Sequence, residues 1–416
     1  MVKRCETCHG GEKAESSYRL DTWNNLQKKG DNDVQPLVPG QPDTSELLRL
    51  IESHDARESM PKKAAPLSAA QQSLFRRWIA EGAKFDADDP GARLATLIPA
   101  VVHPAPPENY PVPAAVAALA FAPDGAQLAA GGQYEITLWD PADGRLLRRV
   151  PNMARRTYAL AYSPDGTSLF AAGGDPGQSG EVRQFDLADG HLIRELCTLA
   201  DVALDVQISP NGKRVAVAAA DRTVRVFERE TGHLQFAAEV HADWVSAVCW
   251  SADGAQLATA SRDKTAKLLD AKNGGVEATV GEGNQAEQAV AFLPDGKSLI
   301  VAGQGKLLSV WQIDGNKKTN EIRAGANETD KLLRRDNDLF ACGADRAVRL
   351  FDLKNKSLLR EFLGAGDSVF AMALSADGQR LAAGTAGGQV LVWNPKDGKV
   401  LSSFIAAPGW KDRGGR

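Results

Sequence analysis

A turn recurs along most of this chain. PDG stands at 123–125 and 164–166, PNG at 210–212, ADG at 252–254, PDG at 294–296 and ADG at 376–378. Successive glycines are separated by 41, 46, 42, 42 and 82 residues, and the last step is twice 41. RRDNDLF at 334–340 fills that gap, so one unit has lost its glycine marker. A fixed period of this length signals a repeat architecture, because one such unit cannot bury its apolar face alone.

A second marker has the same period. Short apolar strands end in ITLWD, VRQFD, VRVFE, AKLLD, LSVWQ, VRLFD and VLVWN. Their key positions are Trp139, Phe185, Phe227, Leu269, Trp311, Phe351 and Trp393, spaced by 46, 42, 42, 42, 40 and 42 residues. Both markers count seven units. Short strands alternating with Gly or Asn turns predict a small sheet per unit, and seven such sheets bury one another when stacked around an axis. Residues 112–405 are therefore expected to form an all-β seven-bladed propeller. Each unit, including the last with KVLSSF at 399–404, carries its own outer strand. The usual strand exchange between termini is thus left open as the latch.

The repeat resembles WD40 repeats in period and, less closely, in letters. The resemblance implies a buried His, Asp and Trp network. His241 with Asp263 in the fourth unit fits it best, with Leu269 in place of the usual Trp, and Asp221 and Asp345 occupy the corresponding turns. These residues read as structural. The seven units show no nucleophile elbow, metal cluster or phosphate loop. Cys197, Cys249 and Cys342 stand alone in apolar runs and read as small buried hydrophobes.

Residues 1–86 have a different grammar, that of a small all-α domain. QPDTSELLRLIESHD predicts a helix beginning near Asp43 or Thr44, with Leu47, Leu50 and Ile51 on one face and His54 continuing the stripe. LSAAQQSLFRRWIAEGAKF predicts a second helix, capped by Ser68 with Gln71 three residues on. Leu74, Phe75, Trp78 and Ile79 form its expected buried stripe, and Gly82 ends it. Residues 87–111 read as a Pro-rich linker, in which ARLATLI at 92–98 is a spare strand or plain linker. Residues 406–416 read as a tail.

The net charge of −4 is spread evenly. Residues 1–90 hold 13 basic against 15 acidic residues, so neither part is a basic footprint and nucleic acid is not expected as a partner. The longest apolar runs, such as VPAAVAALAF at 112–121, are too short to span a bilayer as a helix.

The chemistry lies in Cys5-Glu6-Thr7-Cys8-His9. Two thiols three positions apart can reach two vinyl groups on one porphyrin edge, and the adjacent imidazole can then ligate iron. A zinc site is the rival, but closed zinc sites usually draw four ligands from two paired motifs, and only one Cys pair is present. The chain continues through SSYRLDTWNNLQKKG, VPGQPDTSELLRLI and ESMPKKAAPLSAAQQSLFRRWIAEGAKF. Leu20-Asp21, Pro39-Gly40, Ser45 with Leu47, Met60-Pro61, Trp78-Ile79 and Gly82-Ala83 stand in the order of the planctomycete-type cytochrome c family, which residues 5–85 resemble. Fusion to WD40-like repeats also occurs in that family.

The resemblance implies one covalent haem c, attached through Cys5 and Cys8 with His9 as the axial ligand. Met60, 51 residues after His9 and just before Pro61, is the preferred sixth ligand, since a thioether is soft and suits haem iron. His54, His103 and an open position are the alternatives. Leu20, Leu37, Leu48, Leu67, Trp78 and Ile79 are expected to wall the haem, and the Pro39 carbonyl to orient His9. Covalent haem attachment occurs outside the cytoplasm, so a periplasmic location is expected. Only four residues precede Cys5, so the start is expected to be truncated.

The expected function is electron transfer rather than catalysis, with the propeller as a docking platform for a redox partner or another envelope protein. A multi-cofactor redox enzyme, with a second cofactor on the propeller axis, is one alternative. An interaction scaffold with a non-functional haem motif is another.

Overall fold

A computed structural model describes residues 5, 9–10, 14–62, 66–92, 94–97, 100–325 and 327–411. The chain divides into two compact units, residues 1–100 with 233–237, and residues 101–232 with 238–416. The larger is a seven-bladed propeller; the first holds a few short helices.

Each blade is a four-stranded antiparallel sheet built from consecutive strands. The blades span 119–151, 156–199, 203–239, 245–280, 287–323, 329–362 and 369–405. Every marker residue sits on a third strand opposite an aliphatic residue of the second. The pairs are Leu128 with Trp139, Leu169 with Phe185, Val215 with Phe227, Leu257 with Leu269, Leu299 with Trp311, Leu339 with Phe351, and Leu381 with Trp393. All fourteen are buried, because the second and third strands are covered on both faces by adjacent blades. Outer strands such as Val276–Val280 are largely exposed.

The glycine turns join first to second strands, and the six marker glycines have φ between +63° and +71°. Some also need the missing Cβ for packing: a Cβ on Gly212 would lie 3.1 Å from Cγ of Pro164, in the preceding blade's turn. In the sixth blade the turn tightens to Asp336-Asn337, with Asp336 at φ +52° and Arg335 pairing with Asp338. This explains the lost marker.

The ring closes without strand exchange. Val116, Leu119 and Phe121 share a core with Ala371, Ala373 and Val390 of the last blade. The Val116 amide donates to Thr385 O at 3.0 Å, and Arg380 Nη1 donates to Gly125 O at 2.8 Å. Residues 101–110, in the Pro-rich stretch, lie against the first two blades as a strap. The Tyr110 amide donates to Pro408 O at 2.9 Å, so the strap is tied to the tail after the last blade. Arg183, fully buried, donates to Val101 O at 2.6 Å and pairs with Glu181 at 2.9 Å.

In the first unit the α-helices with described bounds include α1 (Trp23–Leu26), α2 (Glu46–Glu52), α3 (Ala69–Ala80) and α4 (Leu94–Leu97). A 3₁₀ turn at Pro42–Thr44 precedes α2, which therefore starts later than expected because Pro42 and Ser45 organise a separate turn. Its buried residues are Leu47, Leu48 and Ile51, with Leu50 half-buried. The Ser68–Gln71 capping box of α3 is present in both directions. Leu74 is 56% exposed, so the buried side of α3 is narrower than the expected stripe and centres on Ile79. The described residues of the ARLATLI stretch contain α4 and no strand; the Leu94 amide donates to Asp21 O at 2.8 Å. Among the described residues, no helix is long and apolar enough to cross a membrane.

Candidate functional site

The motifs of the first unit are tied together by specific contacts. Leu20 donates its amide to His9 O at 2.7 Å, which fixes the segment after the cysteines to the Leu-Asp pair. Asp21 accepts from Asn25 Nδ2 at 3.0 Å and Arg19 Nε at 3.2 Å, and so braces α1. Ser45 is fully buried; its hydroxyl accepts from the Val38 amide at 2.9 Å and donates to Gln41 O at 3.0 Å. The Gly40 amide donates to Ile79 O at 2.8 Å. The Pro-Gly turn, its serine and the terminal helix thereby hold one another.

Leu20, Leu26, Leu37, Leu47, Leu48, Ile51, Ile79 and Ala83 form one buried cluster. Cys5, Tyr18, Met60, Leu67 and Trp78 pack against it. All six residues expected to line a haem belong to this cluster or its rim. Met60 is half-buried, and its amide donates to Leu50 O at 3.0 Å. Its loop is pinned further by Arg49 Nη1 donating to Glu58 at 2.6 Å.

His9 is half-buried, and its Nδ1 lies 2.8 Å from Tyr18 O. A carbonyl can only accept, so Nδ1 carries the proton and Nε2 presents its lone pair. The orienting carbonyl is therefore that of Tyr18, not Pro39. Cys8 lies outside the described residues. His54 is exposed just beyond α2. His103 belongs to the propeller unit, where its Nε2 contacts both Glu181 oxygens at 2.9 Å, so its ring is committed there.

The donor set fits haem c. A thioether and a thiol border one apolar cradle, and an imidazole fixed by a backbone acceptor lies against Tyr18 at its rim with Nε2 free. Tyr18 is a contributor that the sequence motifs do not mark. It stands nine residues after His9, and no local periodicity links the two.

Several polar groups of the propeller are paired with one another. His241 Nδ1 meets Asp263 at 2.8 Å and its Nε2 meets Thr259 Oγ1 at 2.8 Å, with Leu269 buried in the same blade. Burial pushes His241 below the ordinary histidine value despite its aspartate partner. Burial also raises the thiols of Cys197, Cys249 and Cys342, Cys197 to about 12, which keeps them protonated. Asp186, Asp189 and His191 converge on an outer turn. Arg145 and Lys399 stand at the matching turns near Asp143 and Asp397, so His191 occupies the cation position of a repeated turn.

Residues 5–64 match the family model described as planctomycete cytochrome c. Residues 132–401 match the PQQ_2 repeat model described as outer membrane protein assembly factor BamB. The repeats are thus of the BamB type rather than WD40. No curated protein matches the chain.

Proposed function

The chain belongs to the propeller family described as outer membrane protein assembly factor BamB and carries a planctomycete cytochrome c domain at its start, and from that premise we propose that it is a c-type electron carrier whose propeller docks a protein in the cell envelope. Cys5 and Cys8 would hold the haem covalently, and His9 and Met60 would ligate its iron. Haem c bound there would supply reversible one-electron chemistry at iron.

One observation supports this reading most. His9 is held with Nδ1 on a backbone carbonyl, while Cys5 and Met60 border the apolar cluster that Tyr18 and Leu20 share. The Tyr18 acceptor fixes the ring so that Nε2 is the ligating atom. Leu20, Leu37, Leu48 and Ile79 are buried in that cluster and would give a bound haem an apolar lining. An apolar lining, with one thioether and one imidazole as ligands, would favour a higher reduction potential than two histidines would give. With His9 and Met60 both engaged, a haem held there would have its protein ligands in place, and electron transfer is the chemistry it would supply.

The family name of the repeats supports an extracytoplasmic location and a docking role for the propeller. A redox partner or an assembly component of the envelope is the partner class.

The test is spectroscopic. The full chain, exported in cells with c-type maturation machinery, is expected to give a haem spectrum that survives denaturation, and Cys5→Ala with Cys8→Ala should remove it. Colourless protein holding one zinc would overturn the carrier reading in favour of a scaffold. Additional quinone or haem bands would instead favour a multi-cofactor enzyme.

A further inference from the structure

We propose that Tyr18 is a positioning residue for the His9 imidazole: its anchored side chain sets the ring plane and holds in line the main-chain carbonyl that selects the tautomer. The inference rests on the reading of His9 as an axial ligand. Two contacts carry it. The rings of His9 and Tyr18 meet edge to face, with centroids 5.9 Å apart and planes at 63°. The Tyr18 hydroxyl donates to Leu26 O at 3.1 Å, so the ring is anchored at its far end.

The anchor is itself rigid. Leu26 is almost fully buried at the end of α1. Thr22 caps that helix by accepting from the Asn25 amide at 3.1 Å. Gly30 presses on Tyr18 from another direction: a Cβ at residue 30 would lie 3.1 Å from Tyr18 Cβ and 2.7 Å from Ser16 O. The Asp31 amide donates to Ser16 O at 2.9 Å and holds that approach. Tyr18 is therefore gripped at its backbone, its Cβ and its hydroxyl, and it offers His9 both a carbonyl and a ring edge. An aromatic edge at this angle penalises rotation of the imidazole about its ring axis, while the carbonyl selects the Nδ1-protonated form.

The test uses Tyr18→Phe, Tyr18→Leu and Gly30→Ala in the full chain. In haem-free protein, ¹⁵N imidazole shifts report the His9 tautomer. The wild type is expected to be mainly Nδ1-protonated, and Tyr18→Leu, which keeps the main-chain acceptor but removes the ring edge and the hydroxyl anchor that hold it in line, should lower that ratio by about twofold. Tyr18→Phe keeps the ring and loses the anchor, so it should fall between. Gly30→Ala should act in the same direction through displaced Tyr18. In haem-loaded protein, the haem-methyl shift pattern, which depends on the axial imidazole plane, should change in the same order. Trp23→Phe, which perturbs the same core, should lower stability and leave both readouts unmoved.

Wild-type tautomer ratio and methyl pattern in Tyr18→Phe and Gly30→Ala would overturn the proposal, even if Tyr18→Leu fails to fold. A chain that never attaches haem would sink the carrier reading, while the tautomer measurement would still decide the role of Tyr18.

Discussion

Arg149 grips Glu135 through two hydrogen bonds, Nε to Oε2 at 2.6 Å and Nη2 to Oε1 at 2.8 Å, and directs its other donors to the carbonyls of Pro107 and Glu108. Glu135 is fully buried and also accepts from the Tyr110 hydroxyl at 2.8 Å. The pair therefore fastens the strap to the first blade. Arg149→Met would strand a buried carboxylate, which typically costs about 3–5 kcal/mol. It would also release Pro107 and Glu108. The expected outcome is an earlier unfolding midpoint for the propeller and protease cleavage within 101–110 under native conditions. Arg149→Met with Glu135→Leu should recover much of the stability and stay cleavable. A double variant as resistant to protease as wild type would show that the strap is held by other contacts.

Gly212 and Gly296 share a left-handed backbone, at φ +70° and +63°, but differ in surroundings. A Cβ at 212 would meet Pro164, whereas one at 296 has nothing within 4 Å. Gly296→Ala should cost only the conformational penalty, about 1 kcal/mol. Gly212→Ala should cost roughly 1 kcal/mol more, since a ring atom of the neighbouring turn must shift. Chemical denaturation of the two variants checks the order, and equal costs would remove the packing role of that turn.

Met60→Ala tests the sixth ligand in the haem-loaded chain. The variant should lose the sulfur-to-iron band at the red edge of the visible spectrum, and its potential should fall. Met60 borders the core without being fully enclosed, so truncation should leave the fold intact. A wild-type spectrum that lacks this band, and that Met60→Ala leaves unchanged, would transfer the ligand role elsewhere, with exposed His54 the first to examine.

Local chemistry made much of this molecule readable. Trp139 and its six counterparts recur because each blade needs one large side chain on the third strand against an aliphatic residue of the second. Ser68 and Gln71 signal a helix start through bonds three residues apart. Contacts between distant segments left no such trace. Arg149 and Pro107 are 42 residues apart and meet through a backbone carbonyl, which any residue type supplies. The same holds for Tyr18 with His9: Tyr18 accepts through its main chain, so the identity of residue 18 does not announce the hydrogen bond. Leu74 shows the opposite failure, where helical period alone predicts burial but the neighbouring elements reach only as far as Ile79 and the half-buried Phe75 and Trp78.

Glu287 makes the stability of the propeller depend on pH. Burial pushes its carboxyl up to about 7 from the usual 4.5, and the nearby Glu282 carboxylate adds to the rise. The folded state therefore keeps a proton that the unfolded chain releases above about 4.5. The associated stabilisation is fully present below that value and is lost as pH rises through about 7. Glu287→Gln removes this dependence while preserving size. Relative to wild type, the variant should gain stability between pH 5 and pH 8, by an amount on the order of 3 kcal/mol at most. Asp330, raised to about 6 by burial and by Glu328, contributes a slope of the same sign, so the variant should retain part of the alkaline decline. Thermal unfolding of both proteins across that range decides the matter: parallel curves would mean that Glu287 titrates normally in the fold.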